Sequence, residues 1–209
     1  MTKIKICGIR RKEDAEYLNE FKPDYAGFIL SEPFWRCIDL KQLKLLNSLL
    51  SKDIKRVGVF VNESAEYILK YAYLLDVIQL HGDENEQLIH ELKDKTSCEI
   101  WKAVRVQTSE EIEKACKLSA DRLLIDSYSQ NAYGGSGKIA NWEAVIQAKI
   151  TKPFFLAGGI SADNCEEAIK KVKPYGIDIS SSVETEKVKD KDKIGKIIGT
   201  IRSIIQKEG

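Results

Sequence analysis

Residues Arg56 to Leu80 read RVGVFVNESAEYILKYAYLLDVIQL. A β-branched and apolar run, Arg56 to Val61, is followed by an amphipathic stretch, Glu63 to Leu74, and by a second apolar run, Val77 to Leu80. Runs that are apolar without alternation are strands buried on both faces, as in a parallel sheet, whereas apolar residues recurring every three or four positions mark a helix. The unit is therefore strand, helix, parallel strand.

The same alternation extends in both directions from this unit. Strands are expected at Lys3 to Cys7, Tyr25 to Leu30, Arg56 to Val61, Val77 to Leu80, Glu99 to Val104, Arg122 to Asp126, Phe154 to Ala157 and Gly176 to Ser180. The further amphipathic stretches include Glu84 to Leu92, Glu110 to Leu118, Asp163 to Val172 and Lys191 to Gln206. The last carries a stripe of Ile194, Ile197, Ile198, Ile201, Ile204 and Ile205. Eight βα units with no interrupting domain favour a closed (β/α)8 TIM barrel, a single α/β domain over residues 1 to 209. An open doubly wound sheet is the competing architecture, but no GxGxxG follows the first strand to support it. No internal repeat, linker or low-complexity segment suggests a second domain. The charged segment Glu184 to Lys193 reads as a solvated loop leading into the last helix.

The composition narrows the class of function. A chain of 209 residues, 43% hydrophobic, can bury one substantial core. Its 33 Lys and Arg against 32 Asp and Glu give a formal charge of +1, so no basic field favours nucleic acid or an anionic membrane. No apolar stretch approaches the roughly 20 residues that span a bilayer, and the sequence opens on the strand-like KIKIC. A cytoplasmic protein with a small-molecule partner is expected. The five cysteines, at 7, 37, 98, 116 and 165, lack the close paired spacing of zinc or redox motifs, and with two histidines no metal is expected. Cys98, Cys116 and Cys165 read as small, partly buried hydrophobes.

Barrel enzymes build their sites at the carboxyl ends of the strands, so reactive residues there are the informative ones. The first strand ends in Cys7-Gly8, the second leads to a loop containing Arg36, and the sixth ends in Asp126. The seventh ends in Gly158-Gly159 and the eighth in Asp178-Ile179-Ser180-Ser181-Ser182. Glycines let backbone approach an anion and serine hydroxyls donate to it, so Gly158, Gly159, Ser180, Ser181 and Ser182 form a candidate phosphate site where barrels commonly bind phosphate. A third glycine-rich turn, GGSGK at Gly134 to Lys138, is a candidate lid over the same ligand; its spacing is not that of a Walker A loop.

Read together, KIKICGI at Lys3 to Ile9, DYAGFIL at Asp24 to Leu30, VGVFVN at Val57 to Asn62, IQLHGDE at Ile78 to Glu84, LLID at Leu123 to Asp126, GGSGK, FFLAGGI at Phe154 to Ile160 and GIDISSSVE at Gly176 to Glu184 resemble the phosphoribosylanthranilate isomerases of tryptophan biosynthesis. The resemblance implies an Amadori rearrangement without a cofactor, from N-(5'-phosphoribosyl)anthranilate to 1-(2-carboxyphenylamino)-1-deoxyribulose 5-phosphate, by a monomer or homodimer. It places Cys7 as the base that takes the C2 proton and Asp126 as the acid that protonates the ring oxygen.

A free thiol ionises only near pH 8.5, so Cys7 needs a nearby positive charge or backbone donors, and Asp126 must sit well above a reference of about 3.9. The resemblance also implies that Arg36 pairs with the anthranilate carboxylate, which a guanidinium holds with two hydrogen bonds. Here the chain departs from the family pattern, with Phe34 and Trp35 before the arginine and Ser182 where glycine is usual. Asp178 is expected to position the phosphate loop or touch the substrate, His81 to support the catalytic residues from behind or fix its loop, and His90 to lie on the surface. The competing function is a non-catalytic phospholigand-binding barrel, and retention of both Cys7 and Asp126 argues against it. A related histidine-pathway isomerase would carry an aspartate in place of Cys7.

Overall fold

The computed structural model describes residues 2–32, 34–127 and 141–207. GGSGK, and with it the expected lid, lies outside the described residues. Eight strands, β1 (Lys3–Cys7), β2 (Tyr25–Ile29), β3 (Lys55–Phe60), β4 (Val77–Leu80), β5 (Glu99–Val106), β6 (Arg122–Ser127), β7 (Phe154–Leu156) and β8 (Gly176–Ile179), pair in chain order, all parallel. Pairing of β1 with β8 closes the barrel. The helices α1 (Lys12–Phe21), α2 (Leu40–Leu49), α3 (Ala65–Ala72), α4 (Glu86–Lys95), α5 (Ser109–Ala115), α6 (Trp142–Gln147), α7 (Cys165–Val172) and α8 (Lys191–Lys207) follow the strands in turn. The expected (β/α)8 barrel is the fold observed.

Three helices, α3, α4 and α7, begin later than their apolar periodicity suggests, the first two for one reason. Ser64 and Asn85 cap α3 and α4 by accepting from the amides of Tyr67 and Leu88, so the residues before them are outside the helix. Glu84, freed from α4, accepts from the Gly82 amide and pairs at 2.9 Å with Lys102, whose ammonium also donates to the Gly82 carbonyl at 2.6 Å. That buried pair fixes the loop after β4. In the other direction, β5 runs on to Val106 because Arg105 and Val106 still have partners, Asp126 and Ser127, on β6.

The main apolar core lies between the barrel and its helices, and includes Ile6, Phe28, Leu46, Phe60, Ile78, Ile100, Ile125 and Ile179. The helix stripe of Ile194, Ile197, Ile198, Ile201 and Ile204 belongs to it; the side chain of Ile205 lies outside the described residues. A second cluster fills the barrel itself with Tyr25, Val57, Val77, Trp101, Leu124 and Phe155. Trp101 stacks on Phe155 at 4.6 Å between ring centroids, and Tyr25 meets both rings edge-on. This aromatic plug occupies the barrel below the strand ends where the reactive residues stand. No described helix is long and apolar enough to cross a membrane.

The segment from Glu184 to Lys193 leads into α8 as expected and is largely exposed, but it is more than a loop: β9 (Glu184–Thr185) and β10 (Val188–Lys189) form a small antiparallel hairpin whose two ends, Glu184 and Lys189, turn inward. Two of its charges are withdrawn from solvent as a pair, the Glu184 carboxylate and the buried Lys189 ammonium meeting at 2.8 Å.

Candidate active site

Alternation along β1 turns Lys5 and Cys7 to the same, inner face, and both are buried. Cys7 stands opposite Gly27 of β2, where a methyl group would come within 2.7 Å of the sulfur, so the glycine clears the space that the thiol occupies. Lys5 stands opposite Asp178 of β8, and the two form an ion pair of 2.9 Å with no solvent reaching the lysine. Burial pushes the Cys7 thiol above its ordinary value; the positive charges of Lys5 and Lys189 oppose that push and Asp178 adds to it. Burial would lower the Lys5 ammonium, but the charge and hydrogen bond of Asp178 hold it above its ordinary value.

Asp126 ends the inner face of β6 and is 4% exposed. One carboxylate oxygen accepts from the amide of Ser127 at 2.7 Å, and the other lies 3.2 Å from Nε2 of His81. Gln79 and His81 both belong to the inner face at the end of β4, and the Gln79 amide nitrogen is 2.7 Å from His81 Nδ1. With Gln79 donating, Nδ1 accepts and the ring proton sits on Nε2, directed at Asp126. His81, expected to support the catalytic residues or fix its loop, thus contacts the candidate acid itself. His90, on α4, is exposed as expected.

Arg36 is held on two sides. Its Nε and Nη2 donate to the two carboxylate oxygens of Glu184 at 2.9 and 2.7 Å, and its guanidinium lies 4.0 Å above the Trp35 ring. Among the described residues, Nη1 is uncommitted. Glu184 also takes the Lys189 ammonium. Burial would raise its carboxyl, but hydrogen bonding from Arg36 and the charge of Lys189 hold it below the usual carboxylate range.

The two serine- and glycine-bearing loops come together at the ends of β7 and β8. Gly158 and Gly159 take φ of 79° and 63°, and a methyl group on Gly158 would lie 2.7 Å from the Ser127 amide. Ser181–Val183 forms a single 3-10 turn. Ser182 sits in it without the left-handed backbone that the usual glycine would permit, and its hydroxyl donates to the Ile160 carbonyl at 2.5 Å, tying the two loops together. The Ser180 hydroxyl donates to the carbonyl of Cys7 at 3.2 Å, which links the candidate phosphate loops to the candidate base. Asp178 lies deeper, against Lys5.

Cys7, Asp126, Arg36 and the candidate phosphate loops therefore gather at one end of the barrel. Sequence reasoning passed over Lys5, Gln79, Glu184 and Lys189. The available signal was a charged or amide residue at an inward position of an otherwise apolar strand, as in KIKIC and VIQL.

The family model "N-(5'phosphoribosyl)anthranilate (PRA) isomerase" matches residues 4–200. An N-(5'-phosphoribosyl)anthranilate isomerase of Thermoanaerobacter sp. (strain X514) is 47% identical over 206 residues, 98% of this chain and 100% of that protein. Phosphoribosyl anthranilate isomerase from Thermotoga maritima superposes with a TM-score of 0.89 at 32% identity, covering 97% of this chain and 100% of that one. A phosphoribosyl anthranilate isomerase solved in complex with reduced 1-(o-carboxyphenylamino)-1-deoxyribulose 5-phosphate superposes with a TM-score of 0.85 at 30% identity over the same shares of the two chains.

Proposed function

Because the chain belongs to the N-(5'-phosphoribosyl)anthranilate isomerase family, we propose that Cys7 and Asp126 divide the proton transfers of its reaction, the former as base and the latter as acid. The protein is an isomerase of tryptophan biosynthesis. The observation that carries the assignment is that the two side chains end the inner faces of β1 and β6, strands that are not neighbours in the barrel, so each addresses the mouth from its own side.

The chemistry asks for that separation. Asp126 gives a proton to the furanose ring oxygen as the anthranilate nitrogen pushes its electron pair toward C1; the C1–O bond breaks and a C1=N Schiff base remains. The Cys7 thiolate then removes the C2 proton, and the bonding pair moves toward nitrogen to give an enaminol. Tautomerisation, with a proton gained at C1 and lost from the C2 hydroxyl, yields the aminoketose. His81 orients Asp126 and takes up the charge left after its proton is given. Arg36, held by Glu184 along one edge, offers Nη1 to the anthranilate carboxylate. Gly158, Gly159 and Ser181, with the backbone of Ser180 and Ser182, receive the phosphate.

The test follows the fluorescence loss of phosphoribosylanthranilate with purified protein, with and without chelator. Turnover unaffected by chelator is expected, lost in Cys7→Ser and in Asp126→Asn while phosphate-dependent ligand binding survives. Full activity in both variants would overturn the assignment.

A further inference from the structure

Lys5 has no exposed surface, and a charge in such a place is costly unless paired. Asp178 pairs it, but buried ion pairs are often no more stabilising than apolar side chains of like volume, so stability alone does not account for a lysine here. Its position does. Lys5 lies one inward position below Cys7 on the same strand, near enough for its positive charge to favour the thiolate.

Among the described residues, few other charged groups act on the sulfur. Asp178 approaches from β8 and Lys189 from β10, the latter tied to Glu184, which Arg36 also grips. β2 contributes Gly27, which has no side chain. Cys7 therefore feels the charge of two buried ammonium groups, each tethered to a carboxylate.

We propose that Lys5, held in place by Asp178, is a positioning residue for Cys7: it supplies the positive charge against which the thiolate forms, and Asp178 sets how much of that charge the sulfur feels. This rests on Cys7 being the base. In the reactive form of the pair the sulfur is the anion and Lys5 the cation. When the C2 proton reaches sulfur, the S–H bond forms, the C2 electron pair passes into the Schiff base, and Lys5 keeps its proton, its charge then balanced by Asp178 alone. The opposed effects of Lys5 and Asp178 on the thiol, the first favouring the anion and the second disfavouring it, agree with that division of roles.

The test is the pH dependence of iodoacetamide alkylation at Cys7, read from the Cys7 peptide by mass spectrometry so that the other cysteines do not contribute. Lys5→Met/Asp178→Asn removes the pair without stranding a buried charge. Its alkylation midpoint is expected to rise by at least about one pH unit, a roughly tenfold slower reaction below the midpoint. Asp178→Asn alone retains the lysine and is expected to lower the midpoint, which keeps the test decisive if the double variant fails to fold. A midpoint within about 0.2 units of the parent protein in either folded variant, checked by circular dichroism, overturns the proposal. Alkylation does not depend on turnover. Full activity of Cys7→Ser would thus remove the catalytic reading while leaving the influence of Lys5 on the thiol to be read separately.

Discussion

Nε2 of His81 lies 3.2 Å from Oδ2 of Asp126, and neither residue is open to solvent. A carboxyl group that must give up a proton needs a defined orientation and a partner for the charge that remains, and the imidazole supplies both. His81→Ala should lower kcat about tenfold or more, a loss of about 1.4 kcal/mol in transition-state stabilisation, with KM little altered. Steady-state kinetics at saturating substrate decide the matter: an unchanged kcat would mean that Asp126 works without the ring.

The pH profile should be asymmetric. Burial holds the Cys7 thiol above its ordinary value, with Lys5 and Lys189 only partly offsetting the effect. The base form is gained as pH rises through that elevated value, so kcat/KM should still be climbing above about pH 8.5, the reference for a free thiol. A profile that is flat from neutrality upward would contradict this environment for the sulfur.

Glu184 links active-site geometry to acid stability. Burial would raise its carboxyl, but Arg36 and Lys189 hold it below the usual range. A depressed folded value contributes stability above the unfolded value, about 4.3, and that contribution is lost as pH falls through the folded value. Glu184→Gln should therefore be less stable than the parent at pH 7, by about 3 kcal/mol, since two cations lose a buried partner. The gap should close as the pH is lowered below 4. Urea unfolding of both proteins at the two pH values measures it, and a gap independent of pH would sink the assignment.

Gly27→Ala tests the fit of the thiol. A methyl group 2.7 Å from the Cys7 sulfur must displace one or the other. Overpacking of this kind costs about 1–3 kcal/mol, and a base moved from its place loses rate rather than binding. The expected outcome is a folded protein with reduced stability, a kcat lowered by about tenfold or more, and near-normal phosphate affinity. Parent-like kcat would show that the sulfur has room to spare.

The fold was legible because its determinants are local. Runs such as VGVF and FFLA declare strands covered on both faces, and helix periodicity needs only a dozen residues to show itself. Boundaries shifted where a cap, Ser64 or Asn85, rather than apolar pattern, decided the first helical residue. Cys7 and Asp126 were legible for a related reason, being reactive residues that end apolar strands.

What was not legible depends on closure. Lys5 and Asp178 are 173 positions apart, and Arg36 and Glu184 are 148 apart, so nothing near either member announces its partner. A lysine in KIKIC is read by habit as solvated, and the charges from Glu184 to Lys193 likewise. Only the closed barrel shows that Lys5, Glu184 and Lys189 are interior groups whose charges cancel in pairs.

The pairing of β1 with β8 carries a further implication. Cys7 is made early in synthesis, yet every charged group that conditions its sulfur, apart from Lys5, arrives after residue 177. In the growing chain Cys7 is thus an ordinary cysteine until the last strand docks. In the mature protein the same joint is a fuse: a fluctuation that parts β1 from β8 strips Cys7 of Asp178, Lys189 and the Ser180 contact at once while the strands from β2 to β7 remain laddered together. Loss of catalysis on warming should therefore precede loss of secondary structure, and the backbone amides along this seam should be among the first in the barrel to exchange with deuterium.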